Sequence, residues 1–308
     1  MKTSNRKKIV IRVILIFILL NIIACPIITK IIYDKMFPRY DATVDIDSQY
    51  QELYSARIEK SFLVGENTLK GYLYDNEDKT ALIVLAPGFN ASCDNYLPQI
   101  KAFSDAGYGV FTFDTTGSCT SEGESSRGFE QELVDLDEAL KFIESNNNFG
   151  YSKQVLFGHS RGGYSVCNVT LFGHTPDAIV SVGGINSAME GIMEPAVDMM
   201  GKFAYANYPM LYLYQIILFD KDYVDADAVD AMNKASVPTL VVHGANDEKI
   251  AVDQYSVYSH MADIELTDTN DEVDYILNKT PGKDGHVDIL TDEALMADII
   301  SFIDENVR

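Results

Sequence analysis

The stretch Val155–Tyr164, V-L-F-G-H-S-R-G-G-Y, decides how the rest of the chain is read. Its three leading apolar residues suit a buried strand, Gly158 and Gly162 flank Ser160 in a G-x-S-x-G string, and Gly163 onward can open a helix. A serine at the tip of so tight a turn sits on strained backbone, where a β-carbon at 158 or 162 would collide with the neighbouring chain. The pattern predicts a strand, a nucleophile elbow and a helix. G-x-S-x-G strings also arise by chance, so the weight falls on what surrounds this one.

Working outward, the same rhythm recurs on both sides. Ile58–Val64 and Thr68–Tyr74 read as a hairpin turned by Gly65-Glu66-Asn67. Ala81–Ala86 (A-L-I-V-L-A) and Gly109–Phe113 are continuous apolar runs, as expected of strands buried on both faces, and Ala178–Val182 and Thr239–Val242 repeat the pattern. Helical spacing fills the intervals at Tyr96–Ala106 and Phe129–Glu144, with Gln254–Met261 a further helix candidate, Tyr275–Leu277 a short strand and Asp292–Val307 a closing amphipathic helix. Strands alternating with helices predict an α/β fold with a mostly parallel central sheet covered on both sides. Residues 186–224 break the rhythm with a crowd of Met, Tyr and Phe and no strand, which reads as a helical cap inserted between strands. Met and aromatic residues in such a segment are also ordinary packing.

A serine hydroxyl is a poor nucleophile at neutral pH and needs a base, and the base needs a carboxylate to fix its tautomer. Of the five histidines, His159 adjoins the serine but would point away from it, His174 and His260 lie on or just after helices, and His243 precedes a strand-end Gly. His286 stands in the loop Gly282-Lys283-Asp284-Gly285-His286, after the last strand and before the final helix. Asp247 lies just beyond a buried strand, at the edge of the sheet where the elbow emerges. Ser160, Asp247, His286 is the chain order expected of a triad on this architecture. The alternatives are an elbow kept for folding, a solvated loop acid and a turn histidine.

With these residues in place, the chain resembles the α/β-hydrolase superfamily, and within it the serine aminopeptidase and monoacylglycerol lipase-like branch, over about residues 58–306. Asp114-x-x-Gly117-x-Cys119-x-Ser121-x-Gly123 is similar to that branch's D-x-x-G-x-G-x-S-x-G loop, and His243-Gly-x-x-Asp247 and Gly285-His286 match as well. The resemblance implies Ser160 as nucleophile, His286 as general base and acid, Asp247 as orienting carboxylate, and the backbone N–H groups of Phe89 and Arg161 as oxyanion donors. Pro87-Gly88 stands where many relatives have His-Gly, and Cys119 where a Gly is usual. Cys93 and Cys119 fall in loops leaving adjacent strands on the active-site edge, so a disulfide and two free thiols are both open; Cys167 reads as buried packing. The implied activity is that of a serine hydrolase of the carboxylesterase or thioesterase kind, with an aminopeptidase-like peptidase or an acyltransferase as alternatives. A non-catalytic member binding a lipid or a partner is the reading from another class.

Composition narrows the partners. The net charge is −22, and because residues 1–39 hold eight Lys/Arg against Asp34, the remainder carries −22 − 7 = −29. So acidic a surface repels phosphate backbones and excludes nucleic acid as a partner, leaving a small-molecule ester or peptide substrate. No cofactor or metal is expected. Asp225-Ala-Asp227 lacks the Gly of a calcium loop's sixth position, and the acidic run from Asp268 ends on Lys279, so neither is an EF-hand.

Ile9–Ile28 is interrupted only by Arg12 and Asn21, and as a helix it would be about 30 Å long, one hydrocarbon core. Lys2, Arg6, Lys7, Lys8 and Arg12 sit at its start, which predicts a cytoplasmic amino terminus and a catalytic domain outside, held by a single-pass signal anchor. A lipoprotein is the alternative, since Ile22-Ile23-Ala24-Cys25 resembles a cleavage box with Cys25 as the lipidated residue. The expected organisation is therefore an anchor at 1–39, a linker at 40–57 and a hydrolase domain at 58–308 with its cap at about 186–224.

Overall fold

The hairpin forms where the sequence places it: β1 (Ile58–Val64) pairs antiparallel with β2 (Asn67–Tyr74) in the register Val64 to Asn67 and Ile58 to Leu73. The continuous apolar runs become β3 (Ala81–Ala86), β4 (Gly109–Phe113), β5 (Lys153–His159), β6 (Ala178–Val182) and β7 (Thr239–Gly244), and β8 (Val273–Asn278) closes the edge. The order across the sheet is β1-β2-β4-β3-β5-β6-β7-β8, with β3 to β8 mutually parallel and β2 antiparallel to both of its neighbours, β1 and β4. This is a computed structural model, and it describes residues 11–12, 24–263 and 273–308.

Helices cover both faces. Helix α1 (24–36) and α2 (Gln51–Ala56) precede the sheet; α3 (Leu97–Asp105) follows β3, α4 (Glu130–Ser145) follows β4, and α5 (Arg161–Asn168) follows β5. Then come α6 (Ala188–Met200), α7 (Tyr208–Val224), α8 (Ala228–Ala235), α9 (Val257–Asp263) and α10 (Glu293–Val307). Strand β3 shows how one run serves two layers. Leu82, Val84 and Ala86 pack with α4, α5 and α8, whereas Ala81, Ile83 and Leu85 pack with α3 and α10. Each such large apolar side chain contributes about 1.5–3 kcal/mol by leaving water.

The sequence of the sheet runs β3, then β4 on one side, then β5 on the other. The switch point therefore lies between β3 and β5, where Ala86 pairs with Gly158 and a crevice opens beyond the strand ends. The segment expected as a cap, 186–224, forms α6, a 3-10 turn Gly201–Asn207, and α7, whose helix is broken at Asp220 (φ 63°), and its apolar residues cluster with Phe89.

Packing against the sheet domain begins upstream of residue 40. Tyr33 and Phe37 are buried in one cluster with Met189, Ile192, Met193 and Leu211 of the cap. Arg39 donates to the carbonyls of Cys119 (2.7 Å), Ser121 (2.9 Å) and Gly123 (2.8 Å), clamping the loop after β4. The transmembrane helix expected over Ile9–Ile28 falls for the most part on residues 9–10 and 13–23, outside the described ones. Among the described residues no helix is long and apolar enough to cross a membrane.

Candidate active site

Ser160 stands between β5 and α5 with φ 57° and ψ −118°, a backbone conformation that side chains rarely adopt. The two elbow glycines make the turn possible. A β-carbon on Gly158 would lie 2.1 Å from the carbonyl oxygen of Gly162, and one on Gly162 would lie 2.1 Å from that of Ala86. The serine amide donates to Val182 O at 2.8 Å, which ties the strained residue to β6.

The two partners expected from chain order meet it there. His286 Nε2 lies 2.9 Å from Ser160 Oγ, and His286 Nδ1 lies 2.7 Å from Asp247 Oδ2, although His286 is 126 residues from the serine in sequence. Asp247 Oδ1 accepts the backbone N–H groups of Lys249 and Ile250, each at 2.8 Å, and Oδ2 also faces His243 Nε2 at 3.3 Å. Burial would raise the Asp247 carboxyl. Hydrogen bonds from His243 and His286, the charge of His286 and the Ile250 amide outweigh it and hold the group well below the usual carboxylate range. An ionised Asp247 fixes a proton on His286 Nδ1 and leaves Nε2 free to accept one from the serine. Such a linked trio can activate a hydroxyl for attack on an acyl group.

The two expected oxyanion donors follow the end of β3 and the elbow serine. Arg161 is the first residue of α5, so its N–H has no acceptor within the helix. Its side chain turns the other way, into the core, where it pairs with Glu132 at 2.9 Å and donates to Thr115 Oγ1 at 3.0 Å. Phe89 follows the Pro87-Gly88 turn at the end of β3, and its ring packs on Phe37 (5.6 Å between centroids) and Phe129 (6.0 Å) beneath the cap.

Three residues around the trio had no role in the sequence reading. His243 supports Asp247. His159 does point away from the serine hydroxyl, and its Nε2 meets the backbone carbonyl of His286 at 2.9 Å while Nδ1 meets Tyr96 Oη at 2.9 Å. The available signal was that His159 ends β5 and His243 is the next-to-last residue of β7, both at the edge where the site forms. The D-x-x-G-x-C-x-S-x-G stretch is a scaffold: Asp114 accepts from Cys93 N (3.0 Å), Ser92 Oγ (3.1 Å) and Thr120 Oγ1 (2.6 Å), joining two loops at the crevice. A Cys93–Cys119 disulfide is not formed. Cys93 is a buried thiol and Cys119 Sγ points to Ala42 O at 3.6 Å; Cys25 and Cys167 are free as well.

A mostly parallel sheet in this order, with a G-x-S-x-G elbow at its switch point, defines an α/β hydrolase. The model of a family described as serine aminopeptidase, S33, matches residues 77–233, just over half of the chain, and the chain belongs to that family. It is similar to a polyketide transferase of Penicillium sp., with 30% identity over 107 residues, and the match spans 34% of this chain and 35% of that protein. Among solved structures it resembles the Pyrococcus furiosus esterase Pf2001 (TM-score 0.64, 16% identity, 88% of this chain and 99% of that one). It also resembles Est1E of Butyrivibrio proteoclasticus, solved with ferulic acid bound (TM-score 0.58, 15% identity, 80% and 99%). At these identities the structural likeness concerns the fold.

Proposed function

We propose that the protein is a serine hydrolase that cleaves an ester or thioester carrying an apolar acyl group, with Ser160 as nucleophile, His286 as base and acid, and Asp247 as the orienting carboxylate. The observation that carries this reading is the unbroken chain from Ser160 Oγ to His286 (2.9 Å) to Asp247 (2.7 Å) at the sheet's switch point. In the first half-reaction the Ser160 oxygen attacks the acyl carbon as its proton passes to His286 Nε2, and the tetrahedral oxyanion forms between the Phe89 and Arg161 amides. His286 then returns the proton to the leaving group. Water repeats the sequence on the acyl-enzyme and frees the acid. The apolar acyl preference rests on Phe89, which joins the oxyanion turn to a roof of Phe37, Met189, Ile192 and Met193.

We place the enzyme at a membrane with its catalytic domain outside the cytoplasm, on the strength of the apolar run Ile9–Ile28 and its basic leading flank. The test of catalysis uses the full chain in detergent with a fluorophosphonate probe and p-nitrophenyl esters of increasing acyl length, beside aminoacyl substrates. Labelling and turnover are expected in the wild type and absent in Ser160→Ala; labelling that persists in the variant excludes Ser160 as nucleophile, and preference for aminoacyl substrates replaces the esterase reading by the peptidase one.

A further inference from the structure

Beneath the reacting groups runs a second line of hydrogen bonds that the triad does not use. The Gly88 N–H donates to Tyr96 Oη at 2.8 Å, Tyr96 Oη meets His159 Nδ1 at 2.9 Å, and His159 Nε2 meets the carbonyl oxygen of His286 at 2.9 Å. The side chains of Tyr96 and His159 are buried, so no water competes for these contacts. Proton accounting gives the line a single direction. A carbonyl oxygen only accepts, so His159 Nε2 carries the hydrogen; a neutral imidazole then offers Nδ1 as an acceptor, the Tyr96 hydroxyl donates to it, and the phenol oxygen is left to accept from Gly88. Burial, together with the charge of neighbouring His286, drives the His159 pKa down to about 3, which keeps the ring neutral as this line requires.

The two ends of the line matter. Gly88 is joined through its own peptide to Phe89, whose amide is one of the oxyanion donors in the reading above. His286 is the base, and its backbone is thereby gripped on both sides, by His159 at the carbonyl and by Glu248 Oε2 at the N–H (3.2 Å). Gly88 also packs on the elbow itself, since a β-carbon there would lie 3.2 Å from Ser160 Cβ and 3.3 Å from His159 Nδ1. The catalytic groups come from turns after three different strands, and covalent connectivity does nothing to keep those turns in step.

We propose that Tyr96 and His159 are positioning residues that lock the oxyanion turn and the His286 loop into one frame under Ser160. The inference rests on the serine-hydrolase reading of this site. In that frame the distance between base and oxyanion hole is set by three short bonds, and loosening any one of them releases both ends. Misplacement of reacting groups by a fraction of an ångström lowers turnover more than it lowers ground-state binding.

The test compares wild type, Tyr96→Phe, His159→Phe, the double variant and His159→Gln in the full chain, reading kcat and KM on p-nitrophenyl butyrate, the fluorophosphonate labelling rate and the melting temperature. Tyr96→Phe removes one oxygen and leaves the packing. Each Phe variant is expected to lose kcat and labelling rate by about 10- to 100-fold with KM within about twofold, and the double variant to lose no more than the worse single, because the residues act as a unit. His159→Gln, whose amide can accept from Tyr96 and donate to His286, is expected to recover activity to within about fivefold of wild type. The frame is overturned by Phe variants that keep wild-type kcat, by multiplicative losses in the double variant, or by a Gln variant no better than Phe. A wild type inert towards both probe and esters would instead remove the hydrolase reading on which the frame depends.

Discussion

Asp247 takes four polar partners onto two oxygens, and the arrangement sets what a single-atom change would do. Two of the four are backbone N–H groups, from Lys249 and Ile250, and the others are the rings of His243 and His286. Asp247→Asn keeps the shape and places a donor where an acceptor is needed, so His286 is driven to the tautomer that cannot accept the serine proton. Turnover of p-nitrophenyl butyrate is expected to fall by about 10³- to 10⁴-fold with the fold retained by circular dichroism; a loss below tenfold would remove Asp247 from the role. That Ser160, Asp247 and His286 come together was legible in the sequence because each follows a recognisable strand at one edge of the sheet. Tyr96 and His159 were not, since their contacts join residues 63 and 127 apart and only the folded sheet brings them together.

At the scale of elements, the loop between β4 and α4 carries left-handed backbone at Gly117, Cys119, Gly123, Arg127 and Gly128. Gly117 (φ 69°) has the Ser125 carbonyl oxygen 2.1 Å from where a β-carbon would sit, whereas Cys119 holds φ 44° with a side chain that relatives of this branch usually lack. Left-handed backbone costs a non-glycine residue about 1–2 kcal/mol, and glycine returns about 0.5–1 kcal/mol of that as unfolded-state entropy. Cys119→Gly is therefore expected to stabilise by up to about 1 kcal/mol, and Gly117→Ala to destabilise by more than about 2 kcal/mol, both read from denaturant midpoints. A stabilised Gly117→Ala would contradict the geometry. Strands β3 to β7 were readable because burial on both faces leaves an unbroken apolar run. Helix α1 was not, because its pattern is inverted: Thr29 and Tyr33, with Phe37 just past the helix end, face the protein at four-residue spacing while Ile27, Ile28, Ile31 and Ile32 remain about half exposed. A run of isoleucines reads as an anchor, and the inward stripe that docks the segment is hidden among them.

For the molecule as a whole, acidity of the surface is balanced locally by ion pairs, and one of these makes stability depend on pH. His174 lies between Asp137 and Glu144 of α4, 2.8 Å from each. Burial pulls the His174 pKa down, but the hydrogen bonds and charges of the two carboxylates prevail and raise it above the ordinary value. A histidine with a raised folded pKa adds stability that is complete below the unfolded value of about 6.5 and is lost as pH rises through the folded one. Asp137, buried yet held below the usual range by His174, Tyr223 and Lys141, keeps its charge through that window. His174→Gln is expected to cost about 1–3 kcal/mol at pH 5.5 and less than half as much at pH 9; an equal loss at both would show that the pair contributes by packing alone.

The docking of residues 24–40 has a practical consequence for anyone preparing this protein. Trimming the chain to residue 40 to free it from its apolar head would look harmless on the sequence, yet it would pull Phe37 off the Phe89 ring, empty the slot filled by Tyr33 and unhook the three-pronged Arg39 clamp from the β4 loop. The shortened protein would fold around a torn ceiling, and its substrate profile would describe the wound. A faithful shortened form has to keep the docked residues from Thr29 onward.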